Sequence, residues 1–532
     1  MKIVVCDPIS ARGIALLQER PEFIVTVLPK KLPEAELLPV VSDAVALVVR
    51  SETKVTRKVI EAAPKLRAVG RAGVGVDNVD IEAATQHGTV VMNTPGGNTV
   101  TTAELSFAML LSLARKVPQA HANMLAGKWD RKLFQGAELA GKTLGVLGMG
   151  RIGTEVAKRA TAFGMRVISY DPYLTEEAAR AIGAVFADSV DQVYFSADFI
   201  TIHMPVTPET RNMLNAAAFA KMKPGVRIVN CARGEIISEA DLIAALESGK
   251  VAGAALDVFS VEPLPPEHPF RKQPNLILTP HLGASTEEAQ EKCGIEVAEV
   301  ITGYLLAGEV RNAVNLPYLD ARTYEQVKPY LPLGEALGKL LAQLSPPGAD
   351  RIYITYGGHA QKLPNIDPVT RAVLLGFLST SRLKDVNNVN VRSVAQSLGI
   401  TVEEKRSDEP VTFNEWVHAQ VFSGGNKLIS AGGTFFGSPN NPRIVRLFST
   451  PVEIPVSGTL LMLNNKDRPG IVGHLGTLLA KYNVNIANMS LSRESVGGQA
   501  LTVLNLDSAP PKAVLDELQK DGDISNVKVV QL

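Results

Sequence analysis

The stretch from residue 143 to 163 constrains this chain more than any other. An apolar run, 143–147, leads directly into Gly148, Gly150 and Gly153, and an amphipathic segment follows to Phe163. Strand, glycine turn and helix in that order predict the phosphate-binding turn of a doubly wound α/β sheet. Gly148 permits the tight turn, Gly150 lets backbone approach a pyrophosphate, and Gly153 lets helix and strand pack closely. The helix start then offers unpaired N–H groups to the phosphates. The next apolar strand, 166–170, ends at Asp171. A carboxylate there bonds both ribose hydroxyls and repels a 2′-phosphate, so the pattern predicts NAD rather than NADP.

Strand and helix patterns alternate over 2–93 and again over 143–278, which predicts parallel α/β layers. Within the second block, the strands 226–230, 253–257 and 275–279 are each followed by one chemically suggestive residue: Arg233, Glu262 and His281. Ligands bind at the carboxyl edge of such sheets. A histidine, whose ordinary pKa lies near neutrality, is suited to take a hydroxyl proton. A glutamate on its other ring nitrogen fixes the tautomer and stabilises imidazolium, and an arginine grips a carboxylate with two parallel hydrogen bonds. Taken singly, these are a structural histidine, a solvated loop acid and a surface arginine. Their common edge, beside a nicotinamide site, points to dehydrogenation of a hydroxy acid.

Composition narrows the classes. The 532 residues are enough for three to four domains. Lysine plus arginine (54) equals aspartate plus glutamate (54), whereas nucleic-acid binders carry a basic excess, so no nucleic-acid partner is expected. Cys6, Cys231 and Cys293 are odd in number and far apart, which predicts neither a disulfide framework nor a metal site and suits a reducing cytoplasm. The chain opens on a strand, 2–6, so no leader is expected, and no apolar run reaches membrane-spanning length.

Elsewhere, the residues from Thr94 to Asn98 break the first pattern, and helices are expected over 101–116, 283–307 and 324–344. Residues 258–269 are proline-rich and predict a loop, and 350–450 mix strands and helices without a catalytic motif. The final segment reads as strand 459–463, helix 470–482, strands 485–492 and 499–506, helix 512–520 and strand 527–531, the β-α-β-β-α-β ferredoxin-like plan.

The stretches 71–78, 148–153 with 170–172, 230–234, 257–263 and 279–284 resemble the D-isomer-specific 2-hydroxyacid dehydrogenases, most closely the branch acting on 3-phosphoglycerate, and the resemblance covers essentially the whole chain. It implies catalytic roles for Arg233, Glu262 and His281. Glu262 fits the hydroxyacid members, since the formate dehydrogenases have glutamine there. Besides the fingerprint glycines and Asp171, it implies cofactor contacts at Arg151, Ile152, Pro205, Thr210, Cys231, Arg233, Asp257, His281 and Gly283. Arg50, Arg71 and Asn98 match substrate positions, and Arg131 matches one that reaches a neighbouring subunit's site. Taken alone, the cluster Lys128, Arg131 and Lys132 reads equally well as a solvated face.

The resemblance also implies a topology. A Rossmann-type NAD domain (98–285) is inserted in a flavodoxin-like substrate domain (1–97 and 286–318), with hinges near 96–99 and 280–285. An intervening α+β domain (319–452) and a ferredoxin-like ACT domain (456–532) follow. The stretch 464–470 with 483–486 resembles the amino-acid site of ACT domains, which implies an L-serine effector at Asn465, Asp467 and Asn485; some relatives have histidine where Asn465 stands. The implied activity is NAD-dependent oxidation of 3-phospho-D-glycerate to 3-phosphooxypyruvate, the first step of L-serine biosynthesis, by a dimer or tetramer. The alternatives are a reductase of hydroxypyruvate or 2-oxoglutarate, an NAD-sensing binding protein, and an amino-acid sensor with a vestigial enzyme.

Overall fold

The computed structural model describes residues 1–317, 321–379, 386–409, 411–437, 441–493 and 495–532. The expected boundary at 318/319 lies outside them.

Strands Lys2–Val5, Ile24–Val27, Ala46–Val49, Ala68–Arg71 and Val90–Asn93 form one parallel sheet. Its order is 2-1-3-4-5 in chain sequence, the flavodoxin-like arrangement. The inner strands are continuous apolar runs because both faces are covered; Ile3, Val4, Val5, Leu47 and Val48 have no exposed surface. One covering element is the helix Glu287–Ala307, which buries Cys293, Val297, Ile301 and Leu305 with Ile3, Val5 and Val48. It packs closely on helix Ala11–Gln18, where a Cβ on Gly13 would stand 2.4 Å from the Gly294 carbonyl. This helix follows the second sheet in sequence, so the second layer is inserted in the first.

The second sheet has seven parallel strands, running from Leu276–Leu278 through Val251–Leu256, Val226–Asn230, Phe199–Ile202, Thr143–Leu147 and Arg166–Tyr170 to Val185–Phe186. Strand order reverses between Thr143–Leu147 and Phe199–Ile202, which opens the ligand crevice of the Rossmann arrangement there. Helix Thr99–Arg115 covers one face, burying Ala103, Phe107 and Leu110 with Leu144, Val146 and Val229.

Two expected helices differ. The one expected from residue 283 begins at Glu287, because the Asp257 carboxylate captures the N–H groups of Leu282 and Gly283 (2.8 and 2.9 Å) and Thr286 caps the helix. The one expected over 324–344 is two, Ala321–Val327 and Tyr330–Leu344. Pro329 intervenes, and its ring disfavours helical backbone at the preceding residue.

Beyond them lie a six-stranded mixed sheet and a four-stranded antiparallel sheet ordered Ile486–Arg493, Gln499–Leu506, Thr459–Lys466, Ile524–Gln531. Helices Ile471–Lys481 and Lys512–Lys520 cover one face of the smaller sheet, with Leu461, Leu463, Leu475 and Leu518 in its core. Its other face gives Leu460, Met462, Val503 and Val530 to the core of the preceding unit. That unit touches the first layer through the Asn387 amide on the Gly88 carbonyl (2.9 Å) and the buried Val389.

Candidate active site

The glycine turn follows its strand as expected. Gly148 has φ +94°, and a Cβ there would lie 2.6 Å from the His203 carbonyl oxygen. A Cβ on Gly153 would lie 2.1 Å from the Gly148 carbonyl oxygen, while one on Gly150 meets nothing within 4 Å. Gly148 and Gly153 are therefore required by the fold itself, and Gly150 faces open space at the start of helix Arg151–Ala162, which has no side-chain cap. Unpaired N–H groups beside that space fit a pyrophosphate. Asp171 stands at the end of the next strand and accepts hydrogen bonds from the N–H groups of Met149 (2.9 Å) and Tyr173 (2.8 Å). It thus fastens the turn at the place where a ribose would lie. Arg151 and Ile152 open the helix.

Pro205 and Thr210 belong to one loop beyond Phe199–Ile202; the Thr210 hydroxyl donates to the Pro205 carbonyl (2.7 Å) and accepts from the Thr207 N–H (2.7 Å). Cys231 is buried against Met109, and burial, only partly offset by a hydrogen bond with Ser106, pushes its thiol up to about 12. It is a neutral packing group.

The trio meets at the carboxyl edge of the second sheet. His281 has φ +55°, and its N–H donates to the Asp257 carbonyl (2.9 Å). Asp257 has no exposed surface and accepts from the Thr279 hydroxyl (2.6 Å) and the Leu282 and Gly283 N–H groups. Burial raises its pKa, and those bonds only partly offset it. Asp257 therefore braces the turn carrying His281 and Gly283, and Thr102 holds the Gly283 carbonyl from the neighbouring helix (2.8 Å). His281 Nδ1 lies 2.7 Å from Glu262 Oε2, and Glu262 Oε1 accepts from the Phe259 N–H (3.0 Å). Burial acts to raise the Glu262 pKa, but these bonds and the charges of His281 and Arg233 outweigh it and hold the carboxyl below the usual range. An ionised Glu262 accepts a hydrogen bond from Nδ1–H, which leaves Nε2 for a substrate.

Arg233 is gripped from the other lobe. Its Nε and Nη2 both lie 2.9 Å from Asp77 Oδ2. A Cβ on Gly75 would lie 1.7 Å from Arg233 Nη2, so that glycine makes room for the guanidinium. Arg71 follows from the first sheet, with its Nε buried and, among the described residues, without a hydrogen-bond partner. Burial, then the positive charges of Arg233 and Arg50, bring its pKa down to about 10. Asn98, at the start of helix Thr99–Arg115, has a buried side-chain oxygen without a partner among the described residues. Arg71 thus lies near enough to Arg233 and Arg50 to feel both charges, with a buried donor left unpaired among the described residues, an arrangement that calls for an anion.

Other expected residues lie elsewhere. Arg131 is on the exposed 3₁₀ turn Arg131–Phe134. Asn465 has no exposed surface; its oxygen accepts from the Thr502 hydroxyl (2.7 Å), so it ties two strands together. Asp467 accepts from Arg493 (3.1 Å) and the Gly497 N–H (3.2 Å), and Asn485 donates to Asp507 (2.7 Å). Thr459 and Ile486 both pair with Leu506, whereas Lys466 pairs with Gln499. Asp467 and Asn485 are thus at opposite ends of the sheet, about 25 Å apart at strand rise.

Sequence reasoning missed Asp77, Gly75 and Asp7. The first two lie in the glycine-rich stretch 71–78, but nothing in the spacing ties them to Arg233, which is 156 positions beyond Asp77.

Three family models match: D-isomer specific 2-hydroxyacid dehydrogenase, NAD binding domain, over 107–283; D-3-phosphoglycerate dehydrogenase intervening domain, over 326–448; and ACT domain, over 459–523. The D-3-phosphoglycerate dehydrogenase of Synechocystis is 42% identical, covering 100% of this chain and 95% of its own length. That of Methanocaldococcus jannaschii is 41% identical and covers 100% of both. Among solved structures, the NAD complex of a Staphylococcus aureus NAD-dependent formate dehydrogenase aligns at TM-score 0.53 and 31% identity, over 59% of this chain and 98% of that one. Among the described residues no helix is long and apolar enough to cross a membrane.

Proposed function

This chain belongs to the D-3-phosphoglycerate dehydrogenases, within the D-isomer specific 2-hydroxyacid dehydrogenase family, and we propose that it oxidises 3-phospho-D-glycerate to 3-phosphooxypyruvate as the entry to L-serine synthesis. NAD, when bound, supplies the hydride acceptor. In this reading His281 takes the substrate hydroxyl proton at Nε2. Glu262 holds the ring in the required tautomer and stabilises its charged form. Arg233 grips the carboxylate, and Arg71, Arg50 and Asn98 receive the phosphate end. Gly148, Gly150, Gly153, Arg151 and Ile152 frame the cofactor phosphates, Asp171 the ribose, and Pro205, Thr210, Asp257 and Gly283 the remaining wall.

The observation that carries this reading is the cluster of Arg50, Arg71 and Arg233 beside the His281–Glu262 pair. One unphosphorylated carboxylate does not need three guanidinium groups. Similarity along the full length, rather than over the first two sheets alone, favours the phosphorylated acid over hydroxypyruvate or 2-oxoglutarate.

The ACT domain supports a small-molecule effector, and we assign L-serine. Because Asp467 and Asn485 lie at opposite ends of one sheet, the effector site needs two copies, with Asp467 of one beside Asn485 of the other. Leu125 (77%), Trp129 (74%) and Leu133 (64%), close to Arg131 in sequence, are exposed large hydrophobic residues, as suits a subunit interface, which supports a homo-oligomer whose Arg131 serves the neighbouring site. Three free cysteines fit a cytoplasmic enzyme.

The test is NADH formation from 3-phospho-D-glycerate, with D-glycerate and D-2-hydroxyglutarate as controls, each with and without L-serine. Preference for the phosphorylated acid, lowered by serine, is expected. Turnover that prefers an unphosphorylated acid overturns the substrate assignment, and indifference to serine overturns the effector.

A further inference from the structure

Asp7 follows the first strand and is 1% exposed, a costly position for a carboxylate. Among the described residues, all of its side-chain hydrogen bonds go to one loop. It accepts from the Arg50 N–H (2.7 Å), from the Thr53 N–H (3.1 Å) and from the Thr53 hydroxyl (2.5 Å). Asn78 grips the same loop from its carbonyl side, donating to Arg50 O (2.8 Å) and Thr53 O (2.7 Å). Residues 50–53 are therefore held at donors and acceptors alike. The Arg50 guanidinium, by contrast, has among the described residues only a long contact to the Pro8 carbonyl (3.4 Å). The backbone is fixed and the charge is left available.

The neighbour of Asn78 is Asp77, which holds Arg233 from across the crevice. One short loop thus sets the backbone of Arg50 and the guanidinium of Arg233. Arg71 stands close enough to both for their charges to act on it.

We propose that Asp7 and Asn78 are positioning residues for phosphate recognition: they fix Arg50 at a set spacing from Arg71 and Arg233, and that spacing selects a hydroxy acid carrying a second anionic group. The proposal deepens, and rests on, the functional reading given above. Neither residue touches the reacting atoms, so losing either weakens binding of the phosphorylated acid without slowing the chemical step.

The test is steady-state kinetics of the full-length enzyme and of Asp7→Asn, Thr53→Val and Asn78→Ala, with 3-phospho-D-glycerate and D-glycerate as alternative substrates. For Asp7→Asn and Asn78→Ala, KM for 3-phospho-D-glycerate is expected to rise about tenfold, with kcat within about twofold. The ratio of kcat/KM between the two acids falls by roughly the same factor, and Thr53→Val, which loses one bond at constant volume, falls about threefold. A merely structural role lowers kcat/KM for both acids in proportion and leaves the ratio untouched; that result overturns the proposal. Should Asp7→Asn fail to fold, the other two variants decide the same question by the same ratio. A wild-type enzyme without preference for the phosphorylated acid overturns the functional reading and this proposal together. A preference that survives in the variants overturns this proposal alone.

Discussion

At the scale of single residues, the site is held together by charges that the protein does not fully compensate. Arg71 shows this best. With its pKa brought down to about 10 from the usual guanidinium range, the unfolded chain holds a proton over that interval that the folded chain has released. Stability therefore rises with pH through that window, and below it burial of the charged guanidinium is a net cost, roughly 1–3 kcal/mol after allowance for solvent. Arg71→Met is expected to unfold at a higher temperature than the wild type without ligand at neutral pH. It is also expected to lose the stabilisation that 3-phospho-D-glycerate gives the wild type; thermal unfolding with and without the acid checks both. His281 gives a complementary expectation. His281→Ala should lower kcat by about 10²–10⁴ while NAD binding, followed by fluorescence titration, persists. The trio was legible in the sequence because each member follows an apolar strand of a recognisable sheet. Asp77 and Asp7 were not, because their partners come from other strands, and only folding shows which loops meet.

At the scale of elements, the glycine turn separates what the fold needs from what the ligand needs. A Cβ at Gly153 runs into the Gly148 carbonyl, whereas one at Gly150 has open space. Gly153→Ala is thus expected to cost roughly 1–3 kcal/mol of stability through overpacking. Gly150→Val is expected to keep the thermal transition of the wild type but weaken NAD at least about tenfold by filling the pyrophosphate space. Thermal unfolding beside NAD titration of the two variants tests this; equal destabilisation by both would show that the turn is structural only. Spacing alone could not rank the two glycines, since their difference lies in what surrounds them. The same holds at the other end of the layer, where an apolar pattern suggested helix from residue 283. The competing attraction of the Asp257 carboxylate for two N–H groups delays it to Glu287.

At the scale of the molecule, the chain divides unequally. Solved relatives align over 59% of this chain and nearly all of their own length, so those relatives stand without a counterpart of the remaining part. Across the junction, the described residues of the C-terminal half give the two parallel layers Val389 and the bond from Asn387 to Gly88. The two C-terminal units are joined far more closely. Leu460, Met462, Val503 and Val530 of the ACT sheet belong to the same core as Leu337, Leu340 and Leu341, and Gln343 exchanges two hydrogen bonds with Gln531 (2.8 and 2.9 Å). The run Leu460, Leu461, Met462, Leu463 announced burial on both faces of its strand, but nothing in it named the partner. A chain ending at residue 455 would therefore bare an apolar face, whereas one ending at residue 317 would bare little. We expect the shorter protein to elute as a single species and to form NADH from 3-phospho-D-glycerate without responding to serine, and the longer one to aggregate. Size-exclusion chromatography and turnover of the two truncations decide it: a well-behaved chain ending at 455 would mean that the shared core contributes little to the stability of the unit before it.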